Sequence, residues 1–235
     1  MLGRFLEYAV ASPNPLESLD FYTRLGFAVA PDTGETREGT IALSDGRLTL
    51  RLCTSLGHSP TLVFTRPNLA DLVPTLTAIG VVPEHVALGD HQFNHLECQL
   101  PGEISVMVTE ARTHSPVTDQ PSLLGWFEEI EIVGASIDIS ALTWEALGFV
   151  AFDLGDALQR RIVVANDSIS LSLLATSPIS HHLLVFTAEN IASVAESLTR
   201  RGFLIRRELT ADRPLQHQIC LRAPEGTVIV VREAT

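Results

Sequence analysis

One stretch of this 235-residue chain occurs twice, and the repeat constrains the fold more than any other feature. Phe5 to Phe27 reads as an apolar strand (Phe5 to Ala11), a capped helix, and Leu25-Gly26-Phe27 leading into a second strand. At an offset of 122 stand Phe127 to Phe149, with Glu129 matching Glu7 and Leu147-Gly148-Phe149 matching Leu25-Gly26-Phe27. Leu62-Val63-Phe64-Thr65 returns letter for letter at the same offset, as Leu184-Val185-Phe186-Thr187. Several matches at one offset imply an internal duplication. A chain of this length holds one large core or two of about 115 residues each, and a duplication favours two.

Each half divides again. In the first, Asn14 caps a helix with Pro15 in its first turn and Glu17 completing a capping box. Leu16, Leu19, Tyr22 and Leu25 form its packing face, and Gly26 ends it. Strands follow at 27–30, 39–43 and 48–53, the last two joined by the turn Ser44-Asp45-Gly46. The next unit repeats the order: a strand at 61–65, a helix capped by Asn68 and Asp71 and stopped by Gly80, then strands at 81–86, 94–99 and 104–109. Ala111 to Ser122, with two prolines and no periodicity, has linker composition. From Gly125 the pattern runs twice more, with strands at 127–133, 149–152, 159–164 and 169–173, then at 182–187, 203–206, 217–221 and 228–231, and helices at 137–146 and 191–200. The expected class is α+β: tandem βαβββ modules forming two curled mixed-sheet domains, residues 1–110 and 125–235, with 111–124 as the linker. Curled sheets can enclose a cleft on the face away from the helices.

Composition removes several functional classes. The net charge is -12, with both halves acidic, which disfavours binding to a phosphate backbone. All 16 basic residues are arginine, so lysine chemistry is excluded. Cys53, Cys98 and Cys220 form no Cys-x-x-Cys pair. Cys98 and Cys220 differ by 122 and read as matched buried side chains. No run of 18 apolar residues is present, and residues 1–20 carry no leader pattern, so a cytoplasmic protein without a membrane partner is the default expectation. Phosphate loops, nucleophile elbows and His-Glu-x-x-His helices are absent.

Phe21-Tyr22-Thr23-Arg24-Leu25-Gly26-Phe27 after a strand and a capped helix resembles the vicinal oxygen chelate superfamily, which includes glyoxalase I, extradiol dioxygenases and bleomycin-resistance proteins. The four units cover nearly the whole chain, and Pro224-Glu225-Gly226 resembles the turn before the last strand in that family. The resemblance implies a divalent metal held by histidine, glutamine or glutamate from the first and last strands of paired units. Carried onto this sequence, those places fall on Glu7 and Glu129, on Thr61 and Leu183, and on Val106 and Val230. The remaining last strands offer Thr49 or Arg51 and Ser170 or Ser172. Neither set assembles the three or four donors a transition metal needs. Moving the register by one residue brings His182 beside Glu129 and still leaves the third donor missing. No metal and no other cofactor is therefore expected, a divalent metal remaining the alternative.

Candidate cleft residues follow from strand alternation. Phe5, Glu7 and Ala9 share one face of the first strand, and Glu7 is either an edge residue or a buried partner of Arg51. Phe127, Glu129 and Glu131 share a face that reads as solvated or as a polar wall. His95 and His217 form a repeat pair. His95, Glu97 and Gln99 lie on one face, solvent-facing or cleft-lining, where a histidine beside a carboxylate could serve as a general base. His181 and His182 point to opposite faces; Trp126 and Trp144 read as packing anchors. Three functions stay open. The first is a small-molecule-binding protein without a complete metal site. The second is an enzyme, a metal-dependent glyoxalase-like lyase or isomerase or an extradiol-type dioxygenase. The third is a structural or regulatory protein without a ligand cleft. A small organic molecule is the expected partner, and the chain is read as a monomer or homodimer.

Overall fold

The computed structural model describes residues 2–31, 39–115, 122–134, 136–154, 160–175, 182–205 and 218–234. Its first half runs β1 (Arg4–Ala11), α1 (Pro15–Leu25), β2 (Ala28–Val29), β3 (Thr40–Ser44) and β4 (Thr49–Cys53). It continues with β5 (Thr61–Thr65), a 3-10 turn (Leu69–Asp71) entering α2 (Leu72–Ala78), β6 (Pro83–Ala87), β7 (His95–Leu100) and β8 (Ile104–Thr109). The second half runs β9 (Trp126–Val133), α3 (Ile137–Ala146), β10 (Val150–Asp153), β11 (Arg161–Ala165) and β12 (Ser170–Leu174). It ends with β13 (Leu183–Ala188), α4 (Ile191–Arg200), β14 (Gln218–Arg222) and β15 (Val228–Glu233). Of the strand expected at 203–206, Phe203 to Ile205 are not strand and Arg206 lies outside the described residues.

The strands form two mixed sheets, ordered β2-β3-β4-β1-β5-β8-β7-β6 and β10-β11-β12-β9-β13-β15-β14. In each, the first strand pairs in parallel with the last strand of its own unit and antiparallel with the first strand of the next. This corrects the expectation of curled sheets. Both are open, because β2 and β6 end one and β10 and β14 end the other without pairing to each other.

A second correction concerns the core. The largest buried cluster is continuous across both halves, joining Tyr8, Leu52 and Phe64 of the first to Ile130, Trp144 and Phe149 of the second. Each sheet's opposite face carries a smaller cluster of its own: Leu6, Ala9, Cys53 and Val63 in the first half, Leu183, Val185, Cys220, Val228 and Val230 in the second. The helices explain the arrangement. In α1 the buried side chains are Ser18, Tyr22 and Leu25, whereas Leu16 is 71% exposed. Three-residue spacing drifts around a helix of 3.6 residues per turn, so Leu16 rotates off the face that Tyr22 and Leu25 share. The capping box at Asn14 also does not form: its side chain makes no cap bond and donates to Glu17 Oε2 at 3.2 Å.

Reciprocal contacts tie the halves together. The turn before β15 docks on α1, where Ser18 Oγ and Tyr22 Oη donate to Glu225 at 2.7 and 2.6 Å. Burial, followed by the charge of Glu225, holds the Tyr22 hydroxyl well above its ordinary pKa, so it remains a donor. The turn before β8 docks on α3 in the same way, Ser140 Oγ donating to Pro101 O at 2.9 Å. There Trp144 replaces Tyr22 and packs against Phe64 and Phe149. Arg201 Nη1 donates to Arg24 O at 2.7 Å and Arg24 Nη2 donates to Arg201 O, so the ends of α1 and α4 satisfy each other's carbonyls.

The repeat also fixes two glycines. At Gly3 (φ 107) a Cβ would stand 2.4 Å from Thr65 O, and at Gly125 (φ 87) one would stand 2.2 Å from Thr187 O. No side chain fits either place where β1 or β9 begins. Among the described residues no helix is long and apolar enough to cross a membrane. Trp144→Ala is expected to cost about 3–5 kcal/mol by opening a cavity at the shared core. Tyr22→Phe should cost about 1.5–3 kcal/mol by removing a donor to a carboxylate. Urea unfolding followed by fluorescence and circular dichroism measures both.

Candidate functional site

The sheet faces turned away from the shared core carry the buried charges. On β1 the simple alternation breaks. Phe5 pairs with Phe64 and Glu7 with Val63, so Leu6 is the extra residue of a bulge. Phe5 consequently packs toward the shared core with Tyr8 and Val10, while Leu6, Glu7 and Ala9 face the other way. This corrects the face assigned to Phe5. On β9 the same irregularity falls at Glu128, which sends Phe127 to the shared core and keeps Glu129 and Glu131 on the opposite face.

Glu7 is 2% exposed. Arg51 Nε donates to its Oε1 at 2.5 Å, and His114 Nδ1 lies 3.2 Å from its Oε2. Arg51 also donates from Nη1 to Thr40 Oγ1 at 3.2 Å and from Nη2 to Thr113 Oγ1 at 2.6 Å. Burial pushes the Glu7 carboxyl upward, but the hydrogen bond from His114 and the charge and hydrogen bond of Arg51 outweigh it, leaving its pKa below the ordinary value. Thr113 and His114 lie in the stretch read as linker, where no periodicity marked them. Their polar side chains before two prolines gave no signal of burial.

The second half holds Glu129 by a rearranged version of the same bridge. Arg161 Nη2 donates to Glu129 Oε1, Ser172 Oγ donates to Oε2 at 2.5 Å, and Arg161 Nε donates to Ser172 Oγ at 2.9 Å. Strand register makes Thr40 the counterpart of Arg161 and Arg51 the counterpart of Ser172, since Ala42 pairs with Arg51 as Val163 pairs with Ser172. Arginine and hydroxyl have thus changed places between adjacent strands. Arg232 adds a second bridge, Nη2 to Glu131 Oε1 at 2.6 Å, with Nη1 3.6 Å from Glu129 Oε1. Glu129 and Glu131 are each 3% exposed, so the solvated reading of this face is corrected. Burial raises the Glu131 pKa; Arg232 opposes it and the neighbouring Glu129 adds to it.

The register also corrects the repeat pairs of the later strands. Val63 pairs with Met107 and Val185 with Val230, so the counterpart of Val230 is Met107 and not Val106, which lies in the shared core. Glu97 pairs with Met107 and Cys220 with Val230; His95 pairs with Thr109 and Gln218 with Arg232. The offset has grown from 122 to 123 by these strands, and one residue of slip moves a side chain to the other face. Gln218 is therefore the counterpart of His95, and His217 lies outside the described residues. Cys98 sits in the shared core and Cys220 on the opposite face. His95 is buried beside Phe93 and His85, with Nδ1 3.0 Å from Phe93 O and Nε2 3.9 Å from Glu97 Oε1. His182 borders a broad groove of about 880 Å³ between the halves, together with Gln99, Arg222 and Glu225.

On the first sheet a cavity of about 250 Å³ stands over the Glu7–Arg51 pair. Ala9, Cys53, Val63 and Met107 line it from the strands together with Thr40 and Thr109, and Thr54, Ser55, Leu56, Phe93 and Thr113, from segments outside the strands, complete it. His95 and Glu97 do not line it.

Solved structures with the same arrangement decide the fold. Catechol 2,3-dioxygenase superposes with a TM-score of 0.71 at 13% identity, over 100% of this chain and 88% of that one. The 2,3-dioxygenase LapB from Pseudomonas sp. KL28 gives 0.68 at 12%, over 100% and 94%. Homoprotocatechuate 2,3-dioxygenase from Arthrobacter globiformis gives 0.68 at 16%, over 99% and 80%. The fold is that of the extradiol dioxygenases. No protein-family model matches the sequence, and no curated protein matches it. At such identities the likeness carries architecture and not activity.

The residues present do not fit the metal that the vicinal oxygen chelate resemblance implies. Among the described residues no group of three or more histidine, cysteine, aspartate or glutamate side chains is placed to hold an ion. Glu7 and Glu129 are each bound to a guanidinium, and the other strand positions carry Thr61, Met107, Leu183 and Val230.

The two carboxyls titrate in opposite senses. Glu7, with a depressed pKa, stabilises the fold above its ordinary value of 4.5, and that contribution disappears as pH falls through the folded value. Glu131, with a raised pKa, favours the fold at low pH and loses that contribution as pH rises through its folded value. Glu7→Gln is therefore expected to lose about 3 kcal/mol at pH 7, as for breaking a buried ion pair. Its deficit should narrow toward pH 3, whereas that of Glu131→Gln should be smaller at pH 7 than at low pH. Urea midpoints across this range test both signs.

Proposed function

We propose that the chain is a small-molecule-binding protein whose site is the cavity over Glu7 and Arg51. The observation that carries this reading is the cavity itself, lined by apolar side chains and several threonine and serine hydroxyls around the Glu7–Arg51 pair, on the sheet face away from the shared core. Sites for small ligands combine such walls with a few placed polar groups. A cavity of about 250 Å³ lies below the range of roughly 300–1,000 Å³ typical of drug-sized ligands. The ligand is correspondingly small. The enzymatic reading needs a metal that these side chains do not gather, and a purely structural role gives the cavity no purpose.

Fragment screening by ligand-observed NMR tests the proposal, paired with a variant that fills the cavity. Met107→Trp should abolish binding of the fragments that bind the native chain while leaving the circular dichroism spectrum unchanged. Undiminished binding to a folded Met107→Trp protein would move the site elsewhere, to the groove between the halves or to the hollow beside Asn94 and Glu110.

A further inference from the structure

The charge balance of the cavity selects among ligands. This step rests on the binding reading above. Among the described residues that line the hollow, Glu7 and Arg51 are the two charged ones, and they neutralise each other at 2.5 Å. Arg51 therefore offers no unbalanced positive charge to an anion, and Glu7 stands close enough to repel one. A cation fares no better. Glu7 Oε1 already accepts from Arg51, and Oε2 faces His114 and Thr113, so both carboxylate oxygens are engaged and the guanidinium beside them repels a second positive group.

What the site does offer, besides the threonine and serine hydroxyls of its lining, is the set of donors on Arg51. A guanidinium carries five N–H groups. Nε, Nη1 and Nη2 of Arg51 each commit one, to Glu7, Thr40 and Thr113, which leaves two on a side chain that borders the cavity. The natural complement is an uncharged oxygen acceptor on an otherwise apolar molecule, because burying a charge without a partner is far more costly than burying a hydrogen-bonded neutral group.

We infer that the cavity takes small, uncharged, mainly apolar molecules bearing a carbonyl or comparable neutral oxygen acceptor, and discriminates against the carboxylates and amidinium cations of the same shape. The discrimination arises from the pairing of Glu7 with Arg51. Loss of the Glu7 charge would turn the same cavity into a receptor for anions.

Benzamide, benzoate and benzamidine share one shape and carry zero, negative and positive charge, so they separate charge from fit. Each is titrated into the full-length protein at pH 7, following the methyl signal of Met107, one of two methionines in the chain. Benzamide should bind at least about tenfold more tightly than either charged analogue. In a Glu7→Gln variant checked for folding by circular dichroism, benzoate should become the strongest of the three. Benzoate or benzamidine matching benzamide on the native chain, with Met107 shifting, overturns the charge rule and leaves the cavity as a binding site. Absence of any Met107 shift with all three probes overturns both. If Glu7→Gln does not fold, the order of the three probes on the native protein still decides.

Discussion

A carboxylate removed from water needs a counter-charge, and both halves of this chain meet that requirement on the first strand of the sheet. Glu7 and Glu129 are almost fully buried, and each is held by an arginine and a hydroxyl. Much else follows from this. Removing Arg51 would break a buried ion pair, a loss of about 3–5 kcal/mol, whereas Glu129 without Arg161 keeps Arg232 3.6 Å away. Keeping the arginines fixes the strand register, because the guanidinium must reach across one or two neighbouring strands to a single carboxylate. In a fold shared with the extradiol dioxygenases, the bridges also occupy the carboxylates that a metal would require.

The duplication was legible because its signals are local. A glycine after a helix, a run of four identical strand residues and a glutamate among apolar neighbours survive at a constant spacing, and they place units of one type in the right order. What the sequence concealed depends on contacts between distant parts. The bulges at Leu6 and Glu128 each break the two-residue alternation, so Phe5 and Phe127 were read onto the wrong face. The offset changes by one before β7 and β14, so the counterpart of His95 is Gln218 and that of Cys98 is Leu221.

The site was legible in part for the same reasons. Glu7 and Arg51 stand on strands whose boundaries were clear, and the structure joins them directly. Arg161 carried no signal because the last strand of the third unit holds serine where Arg51 stands in the first, the compensating arginine lying on the strand beside it, and Arg232 sits two strands away from the glutamates it meets. Thr113 and His114 follow the last strand of the first half, and only the folded chain brings them back over β1. The open sheets, too, depend on packing between the halves. With the helix faces sharing one core, neither sheet has to close on itself to bury its apolar side.

The placement of the arginines sets the two halves apart. In the first half the guanidinium reaches Glu7 from β4, and on the side of β5 and β8 the residues in register with Glu7 are Val63 and Met107, which line the cavity. In the second half Arg161 leans in across β12 and Arg232 across β13, bracing five neighbouring strands like struts set from both walls. Of two copies of one architectural unit, one is braced from a single side beside its chamber, and the other is braced from both.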